Sequence, residues 1–394
     1  MKAAELFVRC LENEGVEYVF GIPGEENLDV MDALLDSKIR FVTTRHEQGA
    51  AFMADVYGRL TARAGVCLAT LGPGATNLLT GVADANMDYA PLVAIAGQAG
   101  TTRLHKESHQ VLDLTRIFES VTKYSTSLLE PEIIPEVVRK AFKVALTSKT
   151  GATFLEFPEN IAEMQIDAAP LPVSSSPDPE PPAGKVEKAA DLLSRASNPV
   201  ILAGNGVVRS RASQQLCDFA DHPNIPVATT FMAKGVIPFR HRCALGSAGL
   251  QSYDYVSCGF DKADVIICVG YDLVEYHPYL WHPERNRTII HIDLSPAEVD
   301  AHYPVAVGVT GDIKHSLERI EKLAAPHEGR HIRPLRERLV EEMNQHRDDM
   351  EFPVKPQKII WDLRTALDLE DIVVCDVGAH KMWMARMFRC EHPN

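Results

Sequence analysis

Hydrophobic runs of two kinds alternate along the first part of the chain. Short apolar runs are separated by amphipathic stretches such as "NLDVMDALLD" and "IIPEVVRKAFKVALT". The short runs are "VEYVF", "IRFVT", "GVCLAT", "LVAIAG" and "TFLEF". Runs that are apolar throughout are typical of strands buried on both faces of a parallel sheet, and the amphipathic stretches predict the helices that cover it. Residues 1–165 therefore predict a doubly wound α/β domain.

The same alternation returns after a break. Residues 166–185 include "AAPLPVSSSPDPEPPAGK", which is dense in Pro and Ser and predicts a linker. Residues 186–325 predict a second α/β domain, with strands in "PVILAG", "IPVATT", "DVIICVG", "TIIHIDL" and "VAVGV". The charged residues 326–355 predict a helical connector. Residues 356–394 begin a third pattern, with a helix in "QKIIWDLRTALD" and a strand in "DIVVCDVG", and about 40 residues are too few to close a sheet, so this third domain is predicted to be incomplete.

Composition and charge narrow the class of protein. The chain has 394 residues and a formal net charge of -14, which argues against nucleic acid or an anionic membrane as the main partner. No apolar run approaches the roughly 18 to 20 residues that span a bilayer, and the N-terminal "MKAAELFVRCLENEG" predicts a helix and not a leader. The eight cysteines are scattered without a CxxC spacing, which predicts reduced core residues. We therefore expect a cytoplasmic protein.

Three stretches at predicted strand ends carry candidate chemistry. They are "VFGIPGEENLDVMDALL", "LATLGPGATNLL" and "TRHEQGAA". Ligand sites in parallel sheets lie at the carboxyl ends of strands. Taken alone, the turn Gly21–Gly24 is more often structural than functional. The Gly72–Gly74 turn has neither the GxxxxGK[ST] nor the GxGxxG spacing, so it predicts only a close approach of the backbone to something above the sheet.

Glu47 stands between two segments that both look buried, "IRFVT" and "FMADVYGRL". Phe52, Val56 and Leu60 line one side of the predicted helix, and further apolar residues line another, so the sequence predicts no solvent face for this turn. Burial of an ionised carboxylate costs several kcal/mol unless something pairs with it. A carboxylate that only favours the helix dipole is the alternative.

With these stretches in order, the chain resembles the catalytic, or large, subunit family of thiamine-diphosphate-dependent acetolactate synthase. The resemblance rests on "FGIPGEENLDVMDAL", "TRHEQGAAFMADVYGR", "GVCLATLGPGATNLLTGVADANMDYAPLVAIAGQ", "TIIHIDLSPAEV" and "DVGAHKMWMARMF". It implies a pyrimidine-binding domain, a central domain and a diphosphate-binding domain. The active site of the family lies between two subunits, so the resemblance implies a homodimer or tetramer, and it allows a small regulatory subunit as a partner.

The resemblance also implies roles for individual residues. Glu47 would hydrogen-bond the pyrimidine N1′ of thiamine diphosphate and so help the thiazolium C2 to lose its proton. Gln110 matches a family residue on the substrate side of the cleft. The residues implied to contact the cofactor are Ile22, Pro23, Gly24, Glu47, Thr70, Pro73, Gly74 and Asn77 on the pyrimidine side, and Gly378 and His380 on the diphosphate side.

The reaction implied by the resemblance is the decarboxylation of pyruvate and its joining to a second 2-oxo acid, which gives 2-acetolactate and CO2 in branched-chain amino acid biosynthesis. Arg103, His105, Lys106 and His109 are unranked candidates for binding the substrate carboxylate. His109 stands where biosynthetic members have a Phe, which leaves the acceptor open. A related 2-oxo acid decarboxylase or aldehyde carboligase is therefore the alternative.

Two further departures concern the other groups that the family binds. Lys149 replaces an Arg of the FAD-carrying members, and "VGYDLVEYHP" replaces their Arg-Phe-Asp-Asp run, so the sequence does not favour bound FAD. The GDG motif whose Asp and following Asn hold Mg2+ is absent, so we assign no metal ligand in this chain and expect the Mg2+ ligands beyond Asn394. A truncated chain that dimerises without catalysis is the alternative to an enzyme.

Overall fold

The computed structural model describes residues 1–174, 177–249, 255–328 and 333–393. It divides into two compact units, Met1–Ser176 and Pro177–Asn394. Each unit contains a six-stranded sheet whose paired strands all run parallel, with helices in the crossovers. The predicted class, tandem α/β domains with parallel sheets, is confirmed.

The first sheet has the strand order β2-β1-β3-β4-β6-β5. Its strands are β1 Tyr18–Gly21, β2 Arg40–Thr43, β3 Gly65–Ala69, β4 Leu92–Gln98, β5 Tyr124–Ser127 and β6 Ala152–Pro158. Its helices are α1 Ala3–Asn13, α2 Leu28–Leu35, α3 Glu47–Thr61, α4 Pro73–Met87, α5 Leu114–Glu119, α6 Ile134–Leu146 and α7 Glu159–Ala162. Every residue of β3, β4 and β6 is buried, because apolar side chains on both faces pack against helices.

The second sheet has the strand order β12-β11-β10-β7-β8-β9. Its strands are β7 Pro199–Ala203, β8 Val227–Thr229, β9 Ala244–Ser247, β10 Val265–Val269, β11 Thr288–Asp293 and β12 Val305–Thr310. The helices of this unit are α8 Ala183–Ser194, α9 Asn205–Arg209, α10 Ser213–Asp221, α11 Tyr255–Lys262, α12 Ile313–Leu323, α13 Arg333–Gln345, α14 Pro356–Ala366 and α15 Ala379–Met387. The helix α13 lies in the predicted connector, and α14 and α15 lie in the predicted third pattern.

The structure differs from the sequence-based strand assignment at three places. It adds β5 and β9, which the hydrophobic pattern missed because "YSTS" is polar and "ALGS" is short, and both strands lie at sheet edges. The predicted strand "DIVVCDVG" is wrong, since residues 371–378 form no strand and Val374 is 90% exposed. A strand needs a neighbouring backbone to pair with, and none of the described residues supplies one there.

The beginning of the predicted linker packs against the first unit. The backbone N–H of Ile166 donates to the carbonyl of Met1 at 2.9 Å, and the Asn13 side chain donates to the carbonyl of Leu171 at 2.8 Å. The three-domain division of the chain with these linker bounds stays a prediction. Within the described residues, no helix has the length and apolar character needed to cross a membrane.

Candidate active site

The three stretches singled out in the sequence meet at the carboxyl edge of the first sheet. Strand β1 lies between β2 and β3, and Gly21 is in register with Thr43 on one side and Leu68 on the other. The turn after β1 stays close to β3, because the backbone N–H of Ile22 donates to the carbonyl of Leu68 at 3.3 Å. The chain crosses from one side of β1 to the other, so this edge is the switch point where parallel sheets bind ligands.

A direct hydrogen bond joins two of the predicted site residues. The side-chain N–H of Asn77 donates to Oε2 of Glu47 at 3.0 Å. Glu47 is the first residue of α3, whose N-cap His46 accepts from the backbone N–H of Gln48 at 3.1 Å. Asn77 lies near the beginning of α4. Because each helix begins directly after a strand end, the fold fixes both side chains at one edge of the sheet.

The expectation that Glu47 is buried is wrong. Its side chain is half-buried, and on the same helix Met53, Val56 and Leu60 are 48%, 49% and 46% exposed. The reason is that α3 packs inward through small residues, with Ala50 in the core, and leaves its larger apolar side chains outside. Oε2 of Glu47 accepts from Asn77, and Oε1 lies beside Gly74.

Glycines bring the turns after β1 and β3 into contact. A Cβ on Gly24 would lie 2.4 Å from Cβ of Thr70, so only glycine allows this approach. A Cβ on Gly74 would lie 2.9 Å from Cγ2 of Thr70 and 3.5 Å from Oε1 of Glu47. Gly24, Thr70, Gly74 and Glu47 therefore lie around one cleft at the edge of the sheet, and their role toward a cofactor stays a prediction.

Glu26 is a residue of this edge that the sequence-based assignment missed. The hydroxyl of Thr70 donates to Oε2 of Glu26 at 2.8 Å, and the N–H of Gly24 donates to Oδ1 of the buried Asn27 at 2.9 Å. These bonds fix the turn that contains Ile22 and Pro23. The sequence offered one indication of this role, which is that Glu26 follows the GIPG turn by two residues.

The structure also brings Gln110 to the loop after β3. Gly72 has φ 56°, and a Cβ there would lie 2.7 Å from the carbonyl oxygen of Gln110. Gln110 itself has φ 56° and an exposed side chain, and Pro73 begins α4 next to this contact. The backbone of Gln110 thus adjoins the cleft.

The basic residues near Gln110 differ in their contacts and their exposure. Arg103 is engaged, because it donates to Ser108 at 3.0 Å and to Glu159 at 3.1 Å. His105, Lys106 and His109 are exposed. The last three side chains thus face solvent, whereas Arg103 is held by other residues of the unit.

Gly378 and His380 belong to the second unit. Gly378 is the N-cap of α15 with φ 155°, and a Cβ on it would lie 2.8 Å from Cε1 of His380. Both residues are exposed. Their predicted role at the diphosphate end of the cofactor stays a prediction.

One group of metal-ligating side chains lies together among the described residues, and it does not suit Mg2+. Asp221, His241 and Cys243 form this group in the second unit. Arg242 already pairs with Asp221 at 2.6 Å, and Nδ1 of His241 accepts from the N–H of Cys243 at 3.2 Å. Burial raises the pKa of the Cys243 thiol to about 11, whereas Mg2+ prefers oxygen ligands.

Comparison with known families identifies the class of protein. Residues 1–117 match the family described as "Thiamine pyrophosphate enzyme, N-terminal TPP binding domain". Residues 186–320 match the corresponding "Thiamine pyrophosphate enzyme, central domain". The fold and the candidate site together with these matches define a thiamine pyrophosphate enzyme.

Similar proteins narrow the class to one family. The chain is 36% identical over 412 residues to "Probable acetolactate synthase large subunit" of Methanocaldococcus jannaschii, with 100% of the chain and 69% of that protein covered. It is 35% identical over 399 residues to "Acetolactate synthase" of Bacillus subtilis, with 100% of the chain and 70% of that protein covered. It is 33% identical over 396 residues to "Acetolactate synthase, catabolic" of Raoultella terrigena, with 97% of the chain and 70% of that protein covered. The chain belongs to the acetolactate synthase family.

Proposed function

We propose that this chain takes part in the thiamine-diphosphate-dependent decarboxylation of pyruvate and its carboligation to a second 2-oxo acid, which yields 2-acetolactate and CO2. The observation that carries the proposal is the hydrogen bond from Asn77 to Glu47 at the edge of the first sheet. It holds a half-buried carboxylate in a cleft lined by glycines, where a ring nitrogen can approach it.

The residues present fit the pyrimidine end of thiamine diphosphate. The carboxyl group of Glu47 could share a proton with a ring nitrogen of the pyrimidine, and Asn77 orients it by donating to Oε2. Gly24, Gly74 and Thr70 provide a wall without bulky side chains. When bound, the cofactor supplies the carbanion chemistry of the reaction. The other residues proposed to contact it are Ile22, Pro23 and Pro73, with Gly378 and His380 at the diphosphate end.

Replacing Glu47 by Gln tests this role. Gln keeps the size of the side chain and removes its ability to hold a proton, so we expect the exchange of the cofactor C2 proton to slow by about 10² to 10⁴. The measurement is NMR of the C2 proton in D2O, with the chain, thiamine diphosphate and Mg2+ present. Circular dichroism checks that the fold is kept.

The matched control is Glu25→Gln, which removes the charge of an exposed carboxylate in the loop after β1. Its C2 exchange should equal that of the unchanged chain. Exchange at the unchanged rate in Glu47→Gln would show that Glu47 does not promote the loss of the C2 proton. A rate no faster than that of the free cofactor in the unchanged chain would contradict the proposed function and favour a non-catalytic dimerising chain.

The acceptor substrate is proposed to be a second pyruvate. His109 is exposed beside Gln110, and a polar imidazole there also suits another 2-oxo acid or an aldehyde. Product analysis with pyruvate alone, and with pyruvate plus glyoxylate or acetaldehyde, separates these cases. A lack of 2-acetolactate from pyruvate, with another ligation product formed, would move the proposal to a related carboligase.

The proposed partners are a second copy of this chain and a small regulatory subunit. The exposed apolar stripe of α3, formed by Met53, Val56 and Leu60, is the surface that we propose for the second copy, because large exposed apolar groups are typical of interfaces. The small subunit is proposed because relatives are named as large subunits.

A further inference from the structure

The second sheet has its own switch point. The chain leaves β7 toward β8 and β9, and it returns to place β10 on the other side of β7. The carboxyl ends of β7 and β10 therefore border the crevice where a parallel sheet of this kind binds a dinucleotide. FAD in this domain would need donors for its pyrophosphate at that edge.

Backbone contacts close this crevice. The N–H of Gly204 donates to the carbonyl of Val269 at 2.9 Å, and the N–H of Gly206 donates to the carbonyl of Gly270 at 2.7 Å. A Cβ on Gly206 would lie 2.5 Å from Cα of Gly270. The loops after β7 and β10 thus touch each other directly, and a pyrophosphate could not lie between them without moving one.

The side chain of Glu275 accepts from three donors at this edge. The backbone N–H of Asn205 lies 3.0 Å from each of its carboxylate oxygens, and the N–H of Asp272 donates to Oε1 at 3.1 Å. The hydroxyl of Thr230 donates to Oε2. A Cβ on Gly204 would lie 2.7 Å from Oε1, so the carboxylate sits directly against the end of β7.

The charges around Glu275 also disfavour a phosphate group. Asp272 is buried next to it, and Asp293 is buried at the end of β11. Arg209 is the nearby cation, and it already donates to Asp272 at 2.9 Å. An added pyrophosphate would meet two or three carboxylates, and like charges brought together in a low dielectric repel strongly.

We propose that the carboxyl group of Glu275 occupies the pyrophosphate position of the second sheet, so that this chain binds no FAD. The residues at this edge do not fit the FAD that some members of the family carry. This inference is independent of thiamine diphosphate binding, which concerns the first sheet.

Titration of the purified chain with FAD tests the first half of the proposal. We expect no flavin absorbance in the purified chain. We also expect no saturable quenching of FAD fluorescence at FAD concentrations up to about 100 μM. Saturable, stoichiometric FAD binding would overturn the proposal and would leave the function proposed for the first sheet untouched.

Glu275→Ala tests the second half, with Glu284→Ala as the matched control, since Glu284 is an exposed carboxylate of the same unit. The first variant should lose several degrees of melting temperature, because three donors lose their acceptor, and formate should restore part of the loss where chloride at equal ionic strength does not. The control should show neither effect. If formate and chloride act alike on Glu275→Ala, the position does not select a carboxylate and the proposal fails. If that variant does not fold, the melting temperature of Glu275→Gln is compared with that of Glu284→Gln, and equal values in the two would overturn the proposal.

Discussion

At the residue scale, the candidate site depends on the absence of side-chain atoms as much as on Glu47. Gly24 and Gly74 both face Thr70, and Thr70 in turn donates to Glu26. A single added methyl group at Gly24 would meet the Cβ of Thr70, which cannot rotate away because it is fixed to the backbone. The cleft is therefore sensitive to the smallest possible substitution.

Gly24→Ala should destabilise the first unit by about 2 kcal/mol, because overpacking forces the turn after β1 away from β3. The measurement is hydrogen exchange by mass spectrometry over residues 18–70 at increasing urea. Gly49→Ala is the control: Gly49 lies in α3, where an added Cβ would meet nothing within 4 Å. It should stabilise by about 0.5 to 1 kcal/mol through helix propensity. Equal effects of both variants would contradict the close contact.

The sequence predicted which residues gather at this edge, and it did not predict how. Glu47 and Asn77 are 30 positions apart, and their hydrogen bond depends on the packing of α3 against α4. The degree of burial of Glu47 was misjudged because periodicity shows that a helix face is apolar, not whether another surface covers it. Glu26 was missed because one carboxylate in a turn has no pattern of its own.

At the element scale, helix α3 has two apolar faces that differ in burial. The alanine face packs into the core, whereas Met53, Val56 and Leu60 stay exposed. A sequence pattern cannot predict which face is buried within the chain, because a face that packs on a second chain has the same composition as one that packs on the sheet. The buried strands β3 and β4 were predicted because they are apolar throughout, and β5 and β9 were missed because edge strands need not be.

Val56→Lys should weaken self-association of the chain at least tenfold, since a Lys buried in an apolar contact loses its hydration without a partner. Sedimentation velocity over a range of protein concentrations measures the effect. Leu146→Lys is the control, because Leu146 is 40% exposed at the end of α6, on another helix of the same unit. A similar loss of association in both variants, or in neither, would argue against the α3 stripe as the surface for a second copy.

At the scale of the whole molecule, the chain contains two parallel six-stranded sheets, one with an open switch point and one with a closed switch point. The first sheet leaves a glycine-lined cleft beside Glu47, whereas the second closes its crevice with glycine contacts and Glu275. The alternation of apolar runs predicted both sheets. It could not distinguish an open edge from a closed one, because that difference depends on where a single carboxylate points.

The closed edge has a consequence for how the second unit responds to protons. Burial raises the pKa of the Glu275 carboxyl from 4.5 to about 7, and burial followed by the charge of Asp272 raises the pKa of Asp293. Both groups bind protons more tightly in the folded unit than in the unfolded chain. The contribution of Glu275 to stability is therefore fully present below its unfolded pKa of 4.5 and is lost as the pH rises through about 7, and the contribution of Asp293 changes in the same direction. Burial lowers the pKa of His282 and His327, which acts in the opposite direction.

The difference in the free energy of unfolding between the unchanged chain and Glu275→Gln gives the contribution of the Glu275 carboxyl group. All three tryptophans, Trp281, Trp361 and Trp383, lie in the second unit, so tryptophan fluorescence follows its unfolding alone. Between pH 6 and pH 8 the unchanged chain should lose more stability than the variant, and parallel profiles would contradict the assignment. One such group changes the folding equilibrium by up to about tenfold per pH unit. The second unit thus takes up a proton as it folds near neutrality, and a modest alkaline shift would lower its stability.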